Sequence, residues 1–160
     1  MSRDLAWMRD VVTGERALTT TGGKTWPAAR RLCDFLEVSW PELGLPCPAK
    51  VLELGAGTGW LGMTIARNVA SEWPPGSICL TEQPHGGALE WLDHNVQQNM
   101  ADGLPLQAVM TQALDWTDWE SFSWSRAVTT MSSALEASAV EASAGADLVI
   151  GSDLIYDECC

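Results

Sequence analysis

Apolar positions along the chain fall into two alternating patterns, one of helical period and one of short buried runs. From about Trp26 to Glu37, Ala28, Leu32, Phe35 and Leu36 recur at helical spacing behind a proline suited to a first turn, which predicts a helix. Pro41, Gly44, Pro46 and Pro48 then break the pattern into a loop. Val51-Leu52-Glu53-Leu54 is a short apolar run closed by glycines and reads as a buried strand. A second helix is expected over about 61–70, where Leu61, Ile65 and Val69 are spaced by four. Pro74-Pro75-Gly76 ends it, and Ser77–Thr81 reads as a second strand. Residues 87–99 come next as a helix with Leu89, Leu92 and Val96 on one face, and Asp102-Gly103 makes a turn. Leu106–Met110 is a weaker strand, and Asp147–Gly151 gives the last one. Residues 1–24 are polar and without strong period, with Thr19–Gly23 read as a turn. The Ala-, Ser- and Thr-rich residues 125–145 read as a low-complexity insertion. Strands alternating with helices of this length imply βαβ units and a parallel sheet, so the fold class is α/β.

Composition narrows the picture. A chain of 160 residues with 46% hydrophobic content supports one packed domain and argues against a disordered or fibrous protein. No stretch approaches the ~20 apolar residues of a membrane span, and the charged start, Met1 to Trp7, does not resemble a secretory signal. Cys33, Cys47, Cys79, Cys159 and Cys160 show neither paired spacing nor CxxC, which points to reduced thiols and a cytoplasmic or nuclear setting. With only His85 and His94, no metal site is expected; both are placed on a loop and a helix surface rather than in chemistry. Residues 1–50 carry seven basic and six acidic side chains, whereas residues 51–160 carry two basic and fifteen acidic ones. That body repels phosphate backbones, which excludes nucleic acid as a natural partner, and attracts a cationic ligand or a basic protein surface.

The richest local signal is Glu53-Leu54-Gly55-Ala56-Gly57-Thr58-Gly59-Trp60-Leu61-Gly62, set between a strand and a helix. Glycines there allow a tight turn and let backbone approach a ligand, while the helix behind offers free N–H groups. Gly57, Gly59 and Gly62 also satisfy GxGxxG, so a nicotinamide or flavin dinucleotide competes with other nucleoside cofactors, and a turn without ligand is the plain alternative. Glu82, 23 positions after Gly59 at the end of the second strand, suits the two hydroxyls of a ribose; otherwise it is a solvated acid at a strand end. Two features favour S-adenosylmethionine over a dinucleotide. Glu53 would face a cationic amino group and repel a pyrophosphate, and the loop begins some fifty residues into the chain, later than dinucleotide folds place it.

Six segments in order carry a more specific likeness: Trp26-Pro27-Ala28-Ala29, Val51–Gly62, Thr81-Glu82-Gln83-Pro84, Asn95–Asn99, Asp115-Trp116 and Ser152–Tyr156. Together they resemble the protein-lysine branch of the seven-strand S-adenosylmethionine-dependent methyltransferases, methyltransferase family 16, over roughly residues 22–157. The resemblance implies a Rossmann-like, doubly wound, mostly parallel sheet, with residues 25–160 as the cofactor-binding domain behind an N-terminal segment 1–24. It implies Trp26 beside the methionine or ribose side of the cofactor, and Gly55, Ala56 and Gly57 along the methionine moiety. It further implies Glu82 on the ribose, where relatives more often have Asp, and Trp116 near the adenine with Asp115 able to meet its exocyclic amine. Gly151, often Ala in relatives, would line the site by its backbone. For Trp116 the alternative is simple packing, since the chain has nine tryptophans.

Asp153 and Tyr156 come after the last strand at the carboxyl edge of the sheet, where such folds place their ligands. Methyl transfer needs a neutral amine, so a lysine must be desolvated and held with its lone pair on the methyl group. Asp153 would accept a hydrogen bond from the amine, and Tyr156 would wall the channel; the plain alternative for Asp153 is a helix N-cap. The expected activity is thus protein-lysine methylation, with a small-molecule N- or O-methyltransferase or a non-catalytic cofactor-binding module as the alternatives. Only four of the seven strands implied by the resemblance have counterparts, so an incomplete domain with an open sheet edge and weak cofactor binding is also expected.

Overall fold

A computed structural model describes residues 6–122 and 145–154. Four strands form its sheet: β1 (Val51–Leu54), β2 (Ile78–Glu82), β3 (Val109–Ala113) and β4 (Leu148–Gly151). All pair in parallel, in the order β3-β2-β1-β4, with Val51 opposite both Ile78 and Leu148, and Ile78 opposite Val109. Three helices connect or flank them: α1 (Pro27–Ser39), α2 (Trp60–Val69) and α3 (Ala88–Ala101). The α/β reading and the parallel sheet are therefore observed.

Side-chain alternation along the strands divides the apolar residues between two faces. Val51, Ile78, Leu80, Val109 and Ile150 join Leu61, Met63 and Ile65 of α2, Leu92 and Val96 of α3, and Cys33 and Leu36 of α1 in one core. Right-handed β-α-β crossovers put α2 and α3 on the same face. The opposite face carries a smaller cluster, Cys79 and Met110 with Leu52 and Phe122 against them. Val149, on the same parity as Leu52, is 54% exposed.

Two elements differ from expectation. The helix α1 turns Ala29, Cys33 and Leu36 inward and leaves Phe35 61% exposed, so the buried stripe is rotated away from the bulkier ring. The third strand begins three residues late. Leu106 and Ala108 are buried, but the Val109 N–H bonds back to the Leu106 carbonyl at 3.0 Å, closing a turn before pairing starts. Pairing then runs on through polar Thr111 and Gln112, because β3 is an edge strand of the described sheet and its outer half need not be apolar. The 125–145 insertion falls almost wholly outside the described residues.

The N-terminal segment is bound to all three helices. Arg9 pairs with Asp34 and Glu37 of α1, each at 2.7 Å. Asn68 of α2 holds the Met8 backbone, accepting its N–H at 2.7 Å and donating to its carbonyl at 2.9 Å. Asn99 and Asn95 of α3 hold Val12 and Gly14. Val11 is buried beneath this path. The segment then turns over the glycine loop, where the Arg16 N–H reaches the Gly23 carbonyl at 2.7 Å.

Candidate functional site

The loop from β1 to α2 is shaped by glycines at positive φ: Gly55 at 58°, Gly57 at 57° and Gly59 at 79°. An L side chain rarely adopts this region. At Gly59 a Cβ would also lie 2.5 Å from Leu92 Cδ1, so packing and backbone both demand glycine. At Gly57 a Cβ would make only ordinary contacts, with the carbonyl oxygens of Gly22 and Lys24 at 3.6 Å and the Gly22 Cα at 3.8 Å, leaving backbone conformation as the reason. The loop is tied to β2 by the Ala56 N–H on the Thr81 carbonyl at 2.9 Å and closed by the Gly59 N–H on the Ala56 carbonyl at 2.8 Å.

Glu82, at the tip of β2 and almost buried, turns its carboxylate onto this loop. Its Oε2 accepts the Gly57 N–H at 3.0 Å and its Oε1 accepts the Gln83 N–H at 2.9 Å. A carboxylate has about four acceptor sites, so each oxygen keeps room for a hydroxyl donor. Gly22 of the N-terminal segment closes over the same group; a Cβ there would lie 3.3 Å from Glu82 Oε2.

Glu53 lies elsewhere. It shares strand parity with Val51, so its side chain enters the helix-covered core and is 2% exposed. A Cβ at Gly62 would lie 2.5 Å from its Oε2, and that oxygen has no hydrogen-bond partner among the described residues. Burial pushes the carboxyl up to about 8; the Gly62 backbone N–H opposes the shift and the Glu82 charge adds to it. The structure places Glu53 beneath the loop, within the helix-covered core.

In front of the loop opens a small cleft, lined by Lys24, Thr25, Trp26, Gly55, Ala56, Gly57, Thr58, Trp60 and Ser152 among others. Trp26 is anchored by its Nε1–H on the Thr21 carbonyl at 3.1 Å, and the Lys24 ammonium stands 3.9 Å from its ring centroid. The Arg30 guanidinium covers Trp60 at 4.7 Å. Thr58 and Thr25 share a 2.6 Å hydrogen bond, and Thr25 continues to Thr13 at 3.1 Å, so hydroxyls join the loop to the N-terminal segment.

Of the residues singled out in the sequence, Trp26, Gly55, Ala56 and Gly57 line this cavity directly. Trp116 is half exposed, with its ring 3.4 Å from where a Gly55 Cβ would stand. Asp115 accepts the hydroxyl and N–H of Thr117 at 2.7 and 2.8 Å, which hold its carboxyl below the usual carboxylate range. Gly151 pairs with Leu54 across the sheet, and Leu154 packs so closely over it that a Cβ would overlap Leu154 Cδ1. Asp153 is exposed beside Ser152 of the cavity, and its φ of 56° makes it the one non-glycine residue at positive φ among those described. Tyr156 lies outside the described residues. His85 is exposed on a loop, and His94 stacks on Trp91 at the surface of α3, 4.8 Å between centroids.

Lys24, Thr25 and Thr58 had no signal of their own in an aperiodic stretch, although Thr58 stood inside the loop motif. They reach the site because the N-terminal segment folds back over it.

The residues present fit a nucleoside with an amino-acid tail. A glycine cradle, a nearly buried carboxylate at the neighbouring strand tip and three tryptophans at or beside the cavity are the donor set such a molecule requires. Comparisons with known proteins agree. The family model for lysine methyltransferases matches residues 9–160. The protein N-lysine methyltransferase METTL21A of Danio rerio is 31% identical over 133 residues, 83% of this chain and 47% of that protein. The chain thus spans about half the length of that curated relative. With a match to nearly its whole length, the chain belongs to the lysine methyltransferase family.

Proposed function

We propose that this chain binds S-adenosylmethionine and serves the transfer of its methyl group to a lysine side chain of a protein substrate. One observation carries the reading: Glu82 bonds the Gly57 N–H at 3.0 Å, joining the glycine loop and the strand-tip carboxylate into a single surface. When bound, the sulfonium cofactor supplies an electrophilic methyl group. Gly55, Ala56 and Gly57 run along the methionine moiety, with Trp26 beside it. Glu82 takes the ribose hydroxyls with its remaining lone pairs, and Trp116 stands at the adenine side, with Asp115 near it. Gly151 contributes backbone. Glu53 supports the loop from below.

A lysine amine is protonated at neutral pH, with an ordinary pKa of ~10.4. Asp153, exposed two residues beyond β4, accepts a hydrogen bond from the amine once that amine has given a proton to water, and orients its lone pair toward the methyl group, whose bond to sulfur breaks as the bond to nitrogen forms. The fifteen acidic side chains of residues 51–160 favour a substrate with a basic surface.

Calorimetric titration with S-adenosylhomocysteine and with NAD tests the cofactor. Binding of NAD alone sinks the reading. Tritiated donor in a cell lysate then tests the acceptor: a labelled protein band supports it, whereas a labelled small metabolite or no label favours the two alternatives.

A further inference from the structure

We infer that Lys24 is the site's carboxylate anchor: its ammonium binds the carboxylate of the cofactor's amino-acid tail and so fixes which way that tail lies along the glycine loop. This assignment rests on the cofactor reading above.

Lys24 is the one charged residue among the described residues lining the cavity. It stands there against the electrostatic trend of a chain of formal net charge -12. None of the ion pairs of the described residues engages it; those pairs use Arg9 and Arg67. Its ammonium is held 3.9 Å from the centroid of Trp26, whose own Nε1–H is fixed to the Thr21 carbonyl. A cation held on an aromatic face keeps the N–H donors that point away from the ring for other partners. The Lys24 carbonyl lies 3.6 Å from where a Gly57 Cβ would stand, so the residue's backbone abuts the stretch of loop expected to run along the tail.

The tail carries one anion and one cation at neutral pH. An ammonium at the wall repels the amine and attracts the carboxylate, which decides the tail's orientation. Lys24 is therefore a specificity determinant for an amino-acid-bearing nucleoside over one with an uncharged or purely cationic tail.

The test compares S-adenosylhomocysteine with decarboxylated S-adenosylhomocysteine, which lacks only the carboxylate, on the whole chain by calorimetry. Lys24→Met keeps an apolar stem for packing on Trp26, and thermal unfolding of the variant checks that the fold is unchanged. The expected result is a loss of about five- to tenfold in affinity for S-adenosylhomocysteine, an equal or higher affinity for the decarboxylated ligand, whose lone ammonium Lys24 repels, and recovery of the parent pattern in Lys24→Arg. An equal loss for both ligands, or none for either, overturns the assignment while leaving the cofactor reading intact. If the unaltered chain binds neither ligand, both readings fall.

Discussion

The side-chain amide of Asn99 closes two hydrogen bonds on one residue, accepting the Val12 N–H at 3.0 Å and donating to the Val12 carbonyl at 2.7 Å. It spans 87 positions of sequence to do so, and gives Val12 what a neighbouring strand would otherwise supply. Asn68 repeats the arrangement on Met8 from another helix. Replacing Asn99, which is almost fully buried, by Ala is expected to cost about 1–3 kcal/mol in urea unfolding. Asn68→Ala, at a half-exposed position, should cost less.

Loss of the Glu82 carboxylate removes an acceptor of the Gly57 N–H together with the proposed ribose contact. Glu82→Ala should weaken S-adenosylhomocysteine binding by about 1–3 kcal/mol. Unaltered affinity in calorimetry would show that the ribose lies elsewhere.

Glu53 makes stability depend on pH. Its carboxyl titrates at about 8 when folded and near 4.5 when exposed, so the folded state binds the extra proton between those values. Its contribution is complete below about 4.5 and declines by on the order of 1.4 kcal/mol per pH unit as pH rises toward 8, then levels off. Glu53→Gln, which cannot ionise, should flatten that slope. Urea midpoints at pH 5, 6, 7 and 8 give the comparison, and parallel curves for the two proteins would refute a buried titrating Glu53.

Gly62 sits in a helix with no conformational need for glycine, yet a Cβ there would overlap Leu80 Cδ2 and crowd Glu53 Oε2 at 2.5 Å. Overpacking of this kind costs typically 1–3 kcal/mol, so Gly62→Ala should destabilise the chain by about that amount despite alanine's better helix propensity. A gain in thermal stability would contradict the packing described.

Asp153 combines exposure with a φ of 56°, a conformation Asn tolerates better than Ala. Asp153→Asn should therefore retain the fold and cofactor binding while reducing lysine labelling, which isolates the carboxylate. Asp153→Ala should lose labelling and about 1 kcal/mol of local stability. Equal labelling by Asp153→Asn and the parent chain would remove Asp153 from the reaction.

β1, β2, β4 and the loop between β1 and α2 were legible because their signals are local, short apolar runs and glycines at fixed spacing, whereas polar Thr111 and Gln112 hid the outer half of β3. The direction of Glu53 was legible too, since Val51 faces the core and period-two alternation carries position 53 with it. Phe35 misled, because a large apolar ring weighs more in a pattern than Cys33, which the helix buries. The N-terminal segment had no period to read. Its position is set by Asn68, Asn95 and Asn99, amides sixty to eighty-seven residues away that resemble ordinary helix-surface polar side chains in sequence. Lys24 entered the cavity with that segment and was invisible for the same reason.

The strand order has a further consequence. After β1 the chain winds outward through β2 to β3, then returns to the other flank of β1 to form β4. Connections leaving β1 and β4 therefore diverge, and a crevice opens between Gly55 on one bank and Ser152 on the other, made by the reversal of winding rather than by any side chain. The two banks answer to different stretches of sequence. On the function proposed above, donor recognition falls to residues 24–60, the tip of β2, Asp115, Trp116 and the Gly151 backbone, while acceptor recognition falls to the residues just beyond β4. On that reading, a lineage built on this plan can change the protein it modifies by rewriting one bank, and keep the same methyl donor on the other.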